Sequence, residues 1–182
     1  MPCQRLILAF SCLLFLAAPA IAQEPASDAP TGNSKPGGAA MPTTSGLPIP
    51  RFVSLRTGEI NLRTGPGVRY PVEWVYKREG LPVEITAEYD TWRRIRDMEG
   101  AEGWVHQSML SGKRTLVVTG ADQQSIYKTA ASNAPMVAKA EPQATGELVG
   151  CENAWCEVKF SGVDGYMPKG TFYGAYADEV MK

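Results

Sequence analysis

The sequence predicts an all-β chain: two small, partly open β barrels in tandem, behind a disordered N-terminal segment. Three observations carry this. Residues 51–182 break into short strand-like runs punctuated by turn residues, with no long stretch of 3.6-residue period. At 60–67 a strand, Ile-Asn-Leu-Arg, runs straight into a tight turn, Thr-Gly-Pro-Gly. Finally, features of the first half recur in the second, as a duplication requires.

The first 22 residues read as a leader: a cation at Arg5, an apolar run from Leu6 to Ala18, and Ala20-Ile21-Ala22 as a small-x-small site for cleavage after Ala22. The run is shorter than the ~20 apolar residues that span a bilayer, so no stable membrane insertion is expected. Residues 23–50 are rich in Pro, Ala, Ser, Thr and Gly, have no aromatic side chain and have almost no branched aliphatic ones. Such a segment buries too little surface to offset its ordering entropy and is expected to be a disordered linker. Removing the leader leaves 18 − 1 = 17 cations against 19 anions, a charge of −2. That balance argues against a nucleic-acid partner, which calls for a strongly basic face.

Two copies are expected, at 51–114 and 115–182. Ile60 and Leu62 alternate with Asn61 and Arg63 as in a half-buried strand, and the turn after them combines the fixed φ of Pro66 with the φ>0 freedom of Gly65 and Gly67. Leu62-Arg63-Thr64 aligns with Tyr127-Lys128-Thr129, Trp92 with Trp155, and Gly103-Trp104-Val105 with Gly165-Tyr166-Met167. In this alignment Ala130-Ala131-Ser132 replaces Gly65-Pro66-Gly67, so the second loop is expected to take another shape. Val72, Trp74 and Tyr76 share a face by period two, which assigns Trp74 and Tyr76 to the core. Residues 175–181 are compatible with a short terminal helix.

The Ile-Asn-Leu-Arg strand, the Gly-Pro-Gly turn, the mid-domain Trp92 and the closing Gly103-Trp104-Val105 resemble the bacterial SH3-like domain family, closely over 52–111 and weakly over 115–174. The resemblance implies SH3-like barrels that bind and do not catalyse. It implies as ligand a cell-wall peptide or glycan, or another envelope protein, and an exported, periplasmic or secreted location. In eukaryotic SH3 domains, similar in overall pattern, the matching Trp lines a peptide groove beside a Tyr and a Pro from a closing Gly-Tyr-x-Pro. The second copy carries that segment as Gly165-Tyr166-Met167-Pro168, whereas the first has His106 in place of the proline.

Parity marks the candidate ligand-binding residues. If Ile95 faces the core, Trp92 faces solvent; Trp155 stands in the same relation to Val158. An outward indole offers an apolar face and an N–H donor. Trp92, Trp104, Trp155 and Tyr166 therefore suit either a groove or the sealing of a small barrel, and Tyr70, beside the turn, is a further groove candidate. Arg63 projects outward; its guanidinium suits a ligand carboxylate or the carbonyls of the turn. Arg93, Arg94 and Arg96 form a cationic run near Trp92, either a solvated hairpin or an attraction for anionic ligands.

Cys151 and Cys156 are the cysteines left after the leader. Their four-residue spacing suits opposite positions of a hairpin, and an oxidising compartment favours a disulfide. They lack the Cys-x-x-Cys spacing of redox pairs, and with His106 in the other copy they make no zinc site. No Gly-x-Ser-x-Gly elbow or phosphate loop is present. The expectation is a binding protein without enzymatic activity, metal or cofactor, its partner peptidoglycan or, alternatively, an envelope protein that it helps assemble.

Overall fold

The computed structural model describes residues 44–182, so the expected leader and the linker up to residue 43 lie outside the described residues. Module one comprises β1 (Arg51–Leu55), β2 (Ile60–Arg63), β3 (Val72–Tyr76), β4 (Pro82–Tyr89), β5 (Trp92–Arg96), β6 (Glu102–His106), a 3-10 turn (Gln107–Met109) and β7 (Leu110–Ser111). Module two follows as β8 (Thr115–Val118), β9 (Gln124–Tyr127), β10 (Met136–Ala140), β11 (Thr145–Glu152), β12 (Trp155–Phe160), β13 (Val163–Pro168) and β14 (Phe172–Tyr173). Each module is one antiparallel sheet curled as a partly open barrel. The strand orders, β3-β2-β6-β5-β4-β1-β7 and β10-β9-β13-β12-β11-β8-β14, are the same topology twice.

Alternation builds both cores. Ile60 and Leu62 are each 1% exposed, while Asn61 between them faces water. With Leu55, Val83, Ile85, Ile95 and Val105 they fill module one. Leu116, Val118, Ile126, Leu148, Val158 and Met167 fill module two together with both cysteines. Each large aliphatic side chain buried in this way contributes roughly 1.5–3 kcal/mol. The central hairpins end in two-residue turns at Asp90-Thr91 and Asn153-Ala154, with Asp90 and Asn153 at φ of 50° and 51°. Aspartate and asparagine tolerate this left-handed conformation better than most residues.

The structure shifts the register of the repeat. Arg63 pairs with Trp104, and Tyr127 pairs with Tyr166. Gly103 lies under Leu62, where an added Cβ would come within 2.6 Å of Leu62 Cγ and 2.9 Å of the Arg63 carbonyl. Gly165 lies likewise under Ile126 and the Tyr127 carbonyl, at 2.5 and 2.7 Å. The equivalents of Leu62-Arg63-Thr64 are thus Ile126-Tyr127-Lys128, an offset of 127 − 63 = 64 in place of the expected 65.

The loops obey the same offset, which corrects the expectation of a second shape. Thr64 N donates to Pro71 O and Gly67 N to Gly65 O; Lys128 N donates to Pro135 O and Ala131 N to Thr129 O. Neither Gly65 nor Gly67 has a positive φ. Gly65 is required for a different reason: a Cβ there would lie 2.4 Å from Cδ1 of the Tyr70 ring. Module two has Ala134 at the place of Tyr70, so Thr129 fits where Gly65 stands.

Three other expectations change. Trp74 is 60% exposed and Val72 43%, while Tyr76 is buried. β3 is an edge strand and its pairing with β2 is bulged between Leu62 and Arg63, so its first half leaves the core. Residues 175–181 form no helix; Met181 exchanges backbone hydrogen bonds with Cys151 at 2.8 and 2.9 Å. The end of the expected linker is anchored, with Ser45 N and Oγ donating to the Glu88 carboxylate at 2.8 and 2.7 Å.

The modules meet within one compact unit. Phe52 of β1 packs against Tyr173 and Tyr176 with ring centroids 5.1 and 4.7 Å away, and the Arg114 guanidinium lies 5.7 Å from its ring. Glu84, 5% exposed, accepts a hydrogen bond from Tyr176 Oη at 2.8 Å and pairs with Arg96 at 2.5 Å. Burial, followed by this bond, raises the Tyr176 pKa far above its ordinary value.

Candidate functional site

The outer face of module one is set by the register of β5 on β6. Trp92 lies opposite His106, Arg94 opposite Trp104 and Arg96 opposite Glu102, with Arg63 beyond Trp104. Trp92 and His106 meet edge to face at 5.5 Å. Most polar groups of this face are already engaged. Arg94 pairs with Glu102 at 2.7 Å, and His106 Nδ1 lies 2.7 Å from Ser108 Oγ. Arg63 Nη1 donates to the carbonyls of Val68 and Tyr70 at 3.1 and 2.8 Å, pinning the turn. Tyr70 covers Gly65 on that loop, with the Arg69 guanidinium 5.2 Å from its ring, so it does not extend the row of Trp92 and Trp104.

Arg93 departs from the expected cationic run. It shares the inward parity of Ile95 and is 5% exposed. Its guanidinium lies 3.3 Å from Glu88 Oε1 and donates to Gln107 Oε1 at 2.7 Å and to the Asp90 carbonyl at 2.8 Å. Arg51 reaches the same Glu88 oxygen at 2.7 Å. Burial alone would push the Glu88 carboxyl up; the hydrogen bonds from Ser45 and Arg51, with the charge of Arg93, outweigh it and hold the pKa at about 2.

Module two presents a different face from the same frame. Trp155 lies opposite Pro168, Glu157 opposite Tyr166, and Tyr127 beyond Tyr166. Tyr127 and Trp155 meet edge to face at 5.5 Å. Where module one has Arg63 and Arg94, this module has Tyr127 and Glu157. A cleft of about 510 Å3 runs beside Trp155 and Tyr166, with Val149 and Met181 as apolar wall and Lys128, Lys182, Glu152 and Glu157 as charged lining. Cys151 and Cys156 are joined by a disulfide with their Cα atoms 4.1 Å apart, and Trp155 precedes Cys156 directly. Tyr127, Lys128 and Glu157 were not among the residues singled out from sequence. Counting by two from Trp155 reaches Glu157, and the corrected register reaches the other two.

A second cleft, of about 460 Å3, lies between the modules, where Trp74, Leu81, Pro82 and Met98 face Val117 and Gln143. Among the described residues there is no cluster of His, Cys, Asp and Glu able to hold a metal ion, and no helix long and apolar enough to cross a membrane.

Comparison with known proteins places the chain. No curated protein sequence matches it. Among solved structures it is similar to NlpC2 of Trichomonas vaginalis (9% identity, TM-score 0.33, 71% of this chain and 50% of that one). It is also similar to NlpC1 of the same organism (11%, 0.32, 76% and 52%) and to an NlpC/P60 family protein of Bacillus cereus (12%, 0.30, 68% and 57%). The chain thus spans about half the length of these proteins. A model of the bacterial SH3 domain matches twice, over residues 56–112 and 120–174, one match in each barrel. With more than half of its length so matched, and the same strand order in both copies, the chain belongs to the bacterial SH3 domain family.

Proposed function

We propose that this is a non-catalytic, exported protein that binds cell-wall peptidoglycan through the outward aromatic faces of its SH3 modules. The observation that carries the reading is the pairing repeated in both copies: an outward Trp at the start of the central strand, opposite His106 or Pro168 of the closing Gly-aromatic strand. Such a face holds an extended ligand by stacking and a few hydrogen bonds, with no chemistry performed on it. Membership of the bacterial SH3 family supports a wall-related binding role, and the leader expected at residues 1–22 supports export.

Co-sedimentation of the chain from Gln23 to Lys182 with purified peptidoglycan tests the reading. Retention in the pellet, reduced by Trp92→Ala or Trp155→Ala in folded protein, is the expected outcome; a native chain left wholly in the supernatant overturns it. One observation favours a second reading, an envelope assembly factor. Trp74, 60% exposed, borders the cleft between the modules, and a large exposed indole beside an apolar cleft suits a protein partner.

A further inference from the structure

Resting on the wall-binding reading, we infer that the peptide seat is the cleft of module two, and that it takes a short peptide bearing both a free ammonium and a free carboxylate. Module two departs further from the family pattern in sequence, yet its outer face is the one with unspent polar groups. Glu157, half-buried, and Lys128, exposed, both line the cleft, and neither side chain has an ion-pair or hydrogen-bond partner among the described residues. The polar groups on the corresponding face of module one are engaged from within: Arg94 pairs with Glu102, Arg63 donates to the Val68 and Tyr70 carbonyls, and His106 Nδ1 meets Ser108 Oγ.

The cleft is also built rather than incidental. Its far wall is the segment around Met181, fixed by two backbone hydrogen bonds to Cys151. That segment is held further by the Arg114–Glu179 ion pair at 2.6 Å and by Lys169 Nζ donating to the Glu179 carbonyl at 2.6 Å. On the near side, the disulfide ties the turn end of the hairpin that carries Trp155. The cleft carries two acids, Glu152 and Glu157, and two lysines, Lys128 and Lys182; of these Glu157 lies opposite Tyr166 and Lys128 follows Tyr127, so one anion and one cation flank the stacking surfaces of Trp155 and Tyr166. A peptide ammonium answers Glu157, a carboxylate answers Lys128, and the chain between them lies on the rings. A neutral glycan strand would leave both charges unanswered.

The test is titration calorimetry of the chain from Gln23 to Lys182 with stem peptides freed from purified peptidoglycan by an amidase, in native, N-acetylated and C-amidated forms. The native peptide is expected to bind, and each blocked form to bind about tenfold more weakly or worse, as does the native peptide to Glu157→Gln or Lys128→Gln. Both substitutions change exposed or half-exposed polar atoms and leave the core and the disulfide intact. Peptide binding lost in Trp92→Ala and kept in both module-two variants overturns the inference, as does equal affinity for the native and blocked peptides. Sedimentation separates this failure from that of the wall-binding reading. A chain that pellets with peptidoglycan but ignores the free peptides, or keeps its affinity in the Glu157 and Lys128 variants, refutes the seat alone. A chain that does not pellet refutes both.

Discussion

Glu88 and Arg93 stand in module one where Cys151 and Cys156 stand in module two, each pair directly opposed one step from the equivalent two-residue turn. Both pairs face inward, and each also ties down a flanking segment. Glu88 holds Ser45 and Arg51; Cys151 holds Met181 through its backbone. The position needs a tie between β4 and β5, or β11 and β12, and the repeat supplies it once by charge and once by covalent bond. The two ties differ in what undoes them. A buried ion pair gains specificity at a large desolvation cost, so losing one partner is worse than losing both. The disulfide has no such asymmetry.

Removal of a single charge should give the largest effect. Arg93→Leu leaves the Glu88 side chain, 1% exposed, with Arg51 as its only ion-pair partner among the described residues and should destabilise the chain by about 3 kcal/mol in urea unfolding. The double variant Glu88→Val/Arg93→Leu should recover part of that loss, and a double variant worse than the single would show that the pair is not the tie described here.

Acid and reductant should then separate the modules. The Glu88 carboxyl falls from 4.5 to about 2 on folding, so its stabilisation is present above pH 4.5 and is lost as pH drops from there towards 2. On the order of 2 to 3 kcal/mol is at stake. Dithiothreitol at neutral pH should instead remove about 2 kcal/mol from module two. Hydrogen exchange of backbone amides would show acid loosening residues 82–96 first and reductant loosening 145–160; both hairpins responding equally to each agent would erase the distinction.

The smallest effect tests the turns. Gly65→Ala should cost about 1–2 kcal/mol through overlap with Tyr70, and Tyr70→Ala in the same chain should abolish most of that cost, reproducing the Thr129/Ala134 pair of module two. Thermal melts of the two singles and the double close the cycle; additive losses would mean that the ring is not what excludes a side chain at 65.

The fold was legible because its signals are local. The alternation of Ile60 and Leu62, the Gly-Trp-Val of β6 and the spacing of Cys151 and Cys156 each act within a few residues. What escaped depends on neighbours distant in sequence or on competing local signals. The same parity that turns Trp92 outward turns Arg93 inward, but a run of arginines reads as a solvated surface unless Glu88 is known to lie opposite. Trp74 has the period of a core residue, and only its place on an edge strand beyond a bulge exposes it. Of the candidate site, Trp92, Trp104, Trp155, Tyr166 and Pro168 were named from parity and motif. The partners that spend or spare their polar neighbours, Glu102, Ser108 and Glu157, became visible with the strand register.

The contact of Phe52 with Tyr173 and Tyr176 changes the mechanics of the pair. Three residues, Gly112 to Arg114, separate β7 from β8, and beside that short link the rings and the Glu84 bonds fasten the first module to the end of the second. A tandem joined only by a link would swivel like beads on a thread, each finding its ligand independently. Here the link is braced, so a force taken up by one barrel passes to the other without slack, and the two outward faces stand at a set spacing.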